Sequence, residues 1–224
     1  MPHRDALPWR PYPPLTDGER VVRARAFSDA MSSRRSCRMF SEARVPRDVI
    51  EAALAAAGSA PSGANRQPWH FAVVSSDEAK CAIRVAAEEE ERAFYNGRAG
   101  SEWLDALWPL GTGADKPYLE VAPWLIVVFA QRRGGPDPDN LKQNYYVTES
   151  VGIACGLLLA TLHQAGVATL VHTPSPMRFL NRVCRRPEHE KPLMVIVAGH
   201  PSADATIPAT ALDKKTLEQT ASWL

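Results

Sequence analysis

Residues 151–162, VGIACGLLLATL, are apolar on nearly every side of a helix, and this run limits the fold more than any other stretch of the chain. A helix without a polar face has to be covered all round, inside a core or against another subunit. It forms nearly half of the longest expected helix, over 141–165. Gly152 and Gly156, four residues apart, would let another backbone approach closely. The whole chain has 224 residues, 45% hydrophobic and 23% charged. That length suits one ordinary or one large domain and buries roughly 70–75% of the unfolded surface.

Four apolar runs read as strands: WHFAVVS (69–75) and LIVVFA (125–130), both buried, then VATLVHT (167–173) and LMVIVAG (193–199). Between them lie helical patterns. Asp17 is placed to cap a helix reaching about Ser33, and SRRSCRMF (33–40) follows as a connector. Pro46 opens a second helix whose stripe is Val49, Ile50, Ala53, Leu54 and Ala57, ended by Gly58. SAPSGANRQP (59–68) is a loop. Asp77 is expected to cap a helix running to about Asn96, and Trp103, Leu104, Leu107 and Trp108 space like a short amphipathic one. A last short helix is expected over 176–185, with a turn-rich connector at 132–140 and a mixed tail from 201. Residues 1–15 are Pro-rich and read as an extended arm, leaving 16–224 as a single domain without repeats. Long helices and few strands fit α+β and a parallel α/β sheet equally.

Charge narrows the function. Lys plus Arg (26) against Asp plus Glu (25) leaves +1, which argues against a nucleic-acid or other polyanion binder and against an acidic disordered regulator. Cysteines 37, 81, 155 and 184 form no CxxC pair and no metal spacing, as expected of reduced thiols in a cytoplasmic protein. The N-terminus lacks a secretory apolar core, and the strongest apolar run, Val121–Ala130, contains Pro123, so no membrane association is expected.

Arg34, Arg35 and Arg38 with Ser36 make the densest positive feature. Guanidinium forks and a hydroxyl suit a phosphomonoester; a solvated basic helix end is the other reading. No G-x-G-x-x-G and no Walker loop is present. The loop Pro61-Ser62-Gly63-Ala64-Asn65, beside a strand, offers backbone N–H donors to a flat ligand, or is simply a turn. Glu91 and Tyr95 share a helix face, and Lys116 lies across a glycine-bearing segment. Carboxylate, phenol and ammonium can grip a zwitterion, or belong to a solvated acidic face with an ordinary surface lysine. Thr173 ends a strand where a hydroxyl can meet a ligand or form a turn, and Glu149 needs a partner if buried.

RRSCRMF, SAPSGANRQPWHF and the late strand ending in HTP resemble the nitroreductase superfamily of FMN-dependent enzymes. AEEEERAFY, KPYLEVAPWLIVVF, SVGIACGLLLATL and RPEHEKPLMVIVAGHPS are similar to its iodotyrosine deiodinase branch from about residue 16 onward. The resemblance implies an α+β fold, a mixed and mainly antiparallel sheet flanked by helices, in an intertwined homodimer with a lid over about 91–116. It implies FMN, with Arg34, Arg35, Ser36 and Arg38 at the phosphate and ring edge and Pro61 and Ser62 in a second flavin-contacting loop. Thr173 matches the hydroxyl beside flavin N5, with Val171 and His172 in the same segment. The Ala64 N–H matches the donor to a substrate phenolate, and Glu91, Tyr95 and Lys116 match the zwitterion-binding lid residues. Lys214 stands where animal enzymes have Arg, and the membrane anchor of those enzymes is absent, as in a soluble bacterial-type form. The implied activity is reductive dehalogenation of halotyrosines through reduced flavin in one-electron steps, with a separate electron donor, an NADPH-linked reductase or another reductant. A general nitroreductase or quinone reductase, a flavin-destroying or flavin-sequestering protein and a non-enzymatic halotyrosine binder are the alternatives.

Overall fold

The computed structural model describes residues 7–8, 13–134 and 142–224. Most of the Pro-rich arm, most of the 132–140 connector and the first residue of the expected 141–165 helix lie outside them. The described residues form two compact units that divide between Arg34 and Arg35. In the first, α1 (Asp17–Ser32) begins with a reciprocal cap: Thr16 accepts from the Glu19 N–H and donates its own N–H to Glu19 at 2.7 Å. Thr16, not Asp17, is the cap because its backbone is extended, whereas Asp17 is already in the first turn.

The second unit runs α2 (Arg47–Gly58), β1 (Trp69–Val74), α3 (Asp77–Ala93), α4 (Ser101–Leu107), α5 (Tyr118–Val121), β2 (Trp124–Gln131), α6 (Val147–Gln164), β3 (Ala168–His172), α7 (Phe179–Val183), β4 (Glu190–Gly199) and α8 (Leu217–Thr220). The four strands form one antiparallel sheet in the order β1-β2-β4-β3. β2 and β4 are central and buried on both faces, which explains their unbroken apolar runs. β1 is an edge strand and only half-buried, so the buried strand expected there is corrected.

Alternation along β2 divides the interior. Ile126, Val128 and Ala130 face α2 and α6, meeting Ile50, Ala53, Val151, Ala154 and Leu158. Leu125, Val127 and Phe129 face α3, α5 and α7, meeting Ile83, Leu119 and Leu180. Helix α6 begins at Val147 because Tyr146 is in the left-handed region (φ 49°) and Asn144 is drawn inward, donating to the Gln131 carbonyl at 2.8 Å. Its apolar girdle divides too: Val151, Ala154, Cys155, Leu158 and Leu162 are buried, while Ile153 and Leu157 are 47% and 37% exposed beside Gly152 and Gly156. Glu149 is exposed and needs no buried partner. Ser76 rather than Asp77 caps α3, and only Phe179–Val183 of the helix expected over 176–185 is helical.

One polar contact crosses the second core. The Tyr118 hydroxyl of α5 and Nδ1 of His172, at the end of β3, are hydrogen-bonded at 3.2 Å with both residues buried. Burial, with the Lys116 charge adding, holds the His172 pKa down at about 3. The unfolded chain therefore takes up a proton near pH 6.5 that the folded chain refuses, and stability is lost as pH falls from about 6.5 toward 3. Between pH 7 and pH 5 urea unfolding should show the native chain losing about 2 kcal/mol more than His172→Gln. Equal losses in the two proteins would contradict a buried neutral imidazole.

Candidate active site

The arginine segment is laid along the edge of the sheet by backbone bonds. Ser36 bridges to Thr169 of β3, and Cys37 N–H donates to Thr169 O at 3.0 Å. Farther on, Ser41 N–H donates to His200 O, and Ser202 N–H to Met39 O, both at 2.9 Å. This course carries the Arg38 side chain to the wall of a cavity of about 200 Å³ that also takes in Val171, His172 and Thr173 from the end of β3. His172 Nε2 is buried without a hydrogen-bond partner among the described residues. A neutral imidazole still presents a donor or an acceptor at that nitrogen.

The opposite wall is the C-terminal end of α3 with the segment that follows. Glu91 and Tyr95 reach the cavity from there, Trp103 and Thr112 from the α4 region, and Lys116 from just before α5. Lys116 Nζ lies 3.1 Å from Glu91 Oε2, and the two side chains are only 7% and 14% exposed. The same ammonium donates to Gly113 O at 2.6 Å and sits 5.9 Å from the Tyr95 ring centre. Tyr95 O–H donates to the Thr112 hydroxyl at 3.0 Å, tying the π-helical turn Phe94–Arg98 to the segment that follows α4. Phe94 packs edge-on against Tyr95 and Trp103, with ring centres 5.3 and 5.1 Å apart.

Glu88, one turn before Glu91, positions this group. Its carboxylate accepts the Lys116 backbone N–H at 2.7 Å and the Arg84 Nε–H at 2.7 Å, while Arg84 also donates to Glu120 of α5 at 3.1 Å. Burial works to raise the Glu88 pKa, but Arg84 and the Lys116 N–H outweigh it and hold the group below the usual carboxylate range. Neither Glu88 nor Tyr118 stands out in sequence. The available signals were the i, i+3 spacing of Glu88 and Glu91 on one helix face, and Tyr118 two residues beyond Lys116.

Within the second unit, the other expected flavin- and phenolate-contacting residues do not line this cavity. Arg34 ends the first unit, its N–H on Met31 O at 3.1 Å. Arg35 and Ser36 lie on the same strip as Arg38 but do not line the cavity. Pro61, Ser62 and Ala64 belong to a separate, tightly built loop. Ala64 has φ 50°, Ser62 Oγ accepts from the Gln67 N–H at 2.9 Å, and a Cβ on Gly63 would lie 2.8 Å from Tyr145 O. Arg66 anchors that loop by donating to Asn144 Oδ1 at 2.8 Å and to Gly134 O. Lys214 is exposed in the C-terminal tail.

Known proteins share this chain's sequence pattern and fold. The chain is 48% identical to the iodotyrosine deiodinase of Haliscomenobacter hydrossis over 190 residues, which are 85% of this chain and 86% of that protein. It is 43% identical to iodotyrosine deiodinase 1 of Homo sapiens over 202 residues, 90% of this chain and 69% of that one. A crystal structure of oxidised iodotyrosine deiodinase bound to FMN and 3-iodo-L-tyrosine superposes with a TM-score of 0.73 at 27% identity, covering 88% of this chain and all of that one. Residues 31–200 match the sequence profile of the nitroreductase family. The chain belongs to the nitroreductase family.

Proposed function

We propose that this protein is an FMN-dependent oxidoreductase that removes iodide from iodotyrosine, and that it works as a homodimer. The observation that carries this reading is the buried Glu91–Lys116 pair closing a cavity that also holds Arg38 and Thr173. A zwitterion entering there exchanges one ion pair for two. Its ammonium takes Glu91, its carboxylate takes Lys116, and the net charge of the site stays the same.

The donors fit the cofactor. A guanidinium, a hydroxyl and the unsatisfied His172 Nε2 around one cavity suit an anion that carries a ring rich in heteroatoms. Arg35, Ser36 and Arg38 would hold its phosphate and edge, and Thr173, with Val171 and His172, would meet the ring. Bound FMN supplies the two electrons that, with a proton, replace the carbon–iodine bond by carbon–hydrogen and release iodide. The chain's own residues orient the substrate. Glu91 and Lys116 fix the amino acid end, Tyr95 and Trp103 cover it from water, and the Ala64 N–H, brought by the second copy, takes the phenolate. Glu88 keeps Lys116 in register through its backbone.

The dimer completes the site. Pro61, Ser62 and Ala64 stand off the cavity of their own chain, and α6 leaves Ile153 and Leu157 exposed beside two glycines. A second copy covers that face and brings its loop to the first copy's cavity. The electron donor is a separate reductant.

In the FMN-loaded protein reduced with dithionite, iodotyrosine should release stoichiometric iodide, and nitroaromatics should be poor substrates. The opposite preference would make the chain a general nitroreductase. Glu91→Gln and Lys116→Ala should each weaken iodotyrosine binding at least about tenfold, since each removes one charge-assisted hydrogen bond, and leave the yellow cofactor in place. Ile153→Glu should shift the protein to monomers on sedimentation and release FMN. A monomer that keeps FMN and activity would refute the shared site.

A further inference from the structure

A second concave surface shares no residue with the active cavity. It encloses about 330 Å³ between Arg178, Asn181, Arg182, Arg185, Arg186 and Glu188, on α7 and the turn leading into β4. Its floor is held by buried polar groups. Asn181 is buried, and its side-chain amide donates to Pro187 O and Glu190 O, both at 2.8 Å. Arg186 is paired with the buried Glu190 carboxylate by bonds of 2.6 and 2.8 Å, and Gln131 Nε2 donates to the same carboxylate at 2.9 Å. Burial opposes this charge, but Arg186 and Gln131 outweigh it and hold the Glu190 carboxyl below its ordinary range. The turn is thereby fixed and the charge of Arg186 cancelled.

The charges of the other three arginines are not cancelled. Among the described residues Arg178, Arg182 and Arg185 form no ion pair, and all three are exposed. Against Glu188 alone they leave a surplus of about two positive charges around one hollow. Arg185 also occupies the left-handed backbone region, at φ 52°, where glycine would sit without strain. Guanidiniums gathered this way repel one another. An anion with several oxygens turns the repulsion into bidentate hydrogen bonds.

We propose that this hollow binds the phosphate group of a small molecule, with Arg178, Arg182 and Arg185 as its forks and Asn181 and the Arg186–Glu190 pair as its scaffold. A phosphate dianion matches the surplus charge better than a carboxylate does. The volume exceeds that of one phosphate, so the rest of the ligand has room. Two sources share this chemistry: a free phosphorylated anion, and the phosphate of a nicotinamide dinucleotide acting as reductant. The proposal stands apart from the dehalogenation reading, and its failure would leave that reading unchanged.

The test is calorimetric titration of the FMN-loaded full chain with inorganic pyrophosphate, with flavin absorbance followed to show that the cofactor stays bound. Pyrophosphate should bind, more weakly as salt rises, and about tenfold more weakly in Arg182→Ala and in Arg185→Gly. Arg185→Gly suits the backbone, so its melting temperature should be unchanged or higher, which separates impaired binding from impaired folding. NADPH binding about tenfold more tightly than NADH, with the advantage abolished in both variants, would assign the site to a dinucleotide phosphate. Pyrophosphate binding with no binding of either dinucleotide would assign it to a free phosphorylated anion. Failure of the native chain to bind pyrophosphate, or equal binding in both variants, would overturn the proposal.

Discussion

The covering of β2 and β4 on both faces is the constraint from which the rest follows. An antiparallel sheet can leave one face to water, but strands reading LIVVFA and LMVIVAG have no polar face to offer. They require two covers. Helices α2 and α6 make one, and α3, α5 and α7 make the other. Because α3 and α5 sit over the second face, their ends come together beside the last residues of β3. That edge strand meets the arginine segment by a single bridge at Ser36, so its terminus stays open. The candidate site occupies the place where one cover and the sheet edge diverge.

Within that place lies the buried Glu91–Lys116 pair. Two charges out of water are tolerable together, whereas removing one leaves the other uncompensated at a cost of about 3–5 kcal/mol. The two side chains are paired with each other, and a ligand that brings one charge of each sign would match both. The near-neutral chain charge of +1 accords with this pairing of opposites. An anionic substrate would leave Glu91 repelled, and a neutral phenol would leave the pair unused.

The sequence conveyed the elements whose burial is continuous. The apolar runs of β2 and β4, the stripe of α2 and the position of α3 could be read because period and composition pointed the same way. Boundaries set by backbone conformation were less legible. Thr16 and Ser76 cap their helices because they are extended, and α6 starts late because Asn144 turns inward. The half-buried character of β1 depends on being at the edge of the sheet, which WHFAVVS does not state. Spacing alone does not single out Glu91, Tyr95 and Lys116, since it also fits a solvated acidic helix; only the resemblance groups them, and the structure places all three on one cavity. Glu88 was hidden in the same run of glutamates because its role, accepting a backbone N–H, depends on tertiary structure. The loop at Pro61–Ala64 lies off its own cavity, a separation no single-chain pattern records.

The most direct measurement compares iodotyrosine with 2-iodophenol, which has the same ring and halogen but lacks the zwitterion. Each would be titrated into the oxidised FMN-loaded protein while flavin fluorescence is followed. Iodophenol has neither the ammonium for Glu91 nor the carboxylate for Lys116, so it should bind more than about a hundredfold more weakly than iodotyrosine. Equal affinities would contradict the claim that the Glu91–Lys116 pair exists to be exchanged for an amino acid.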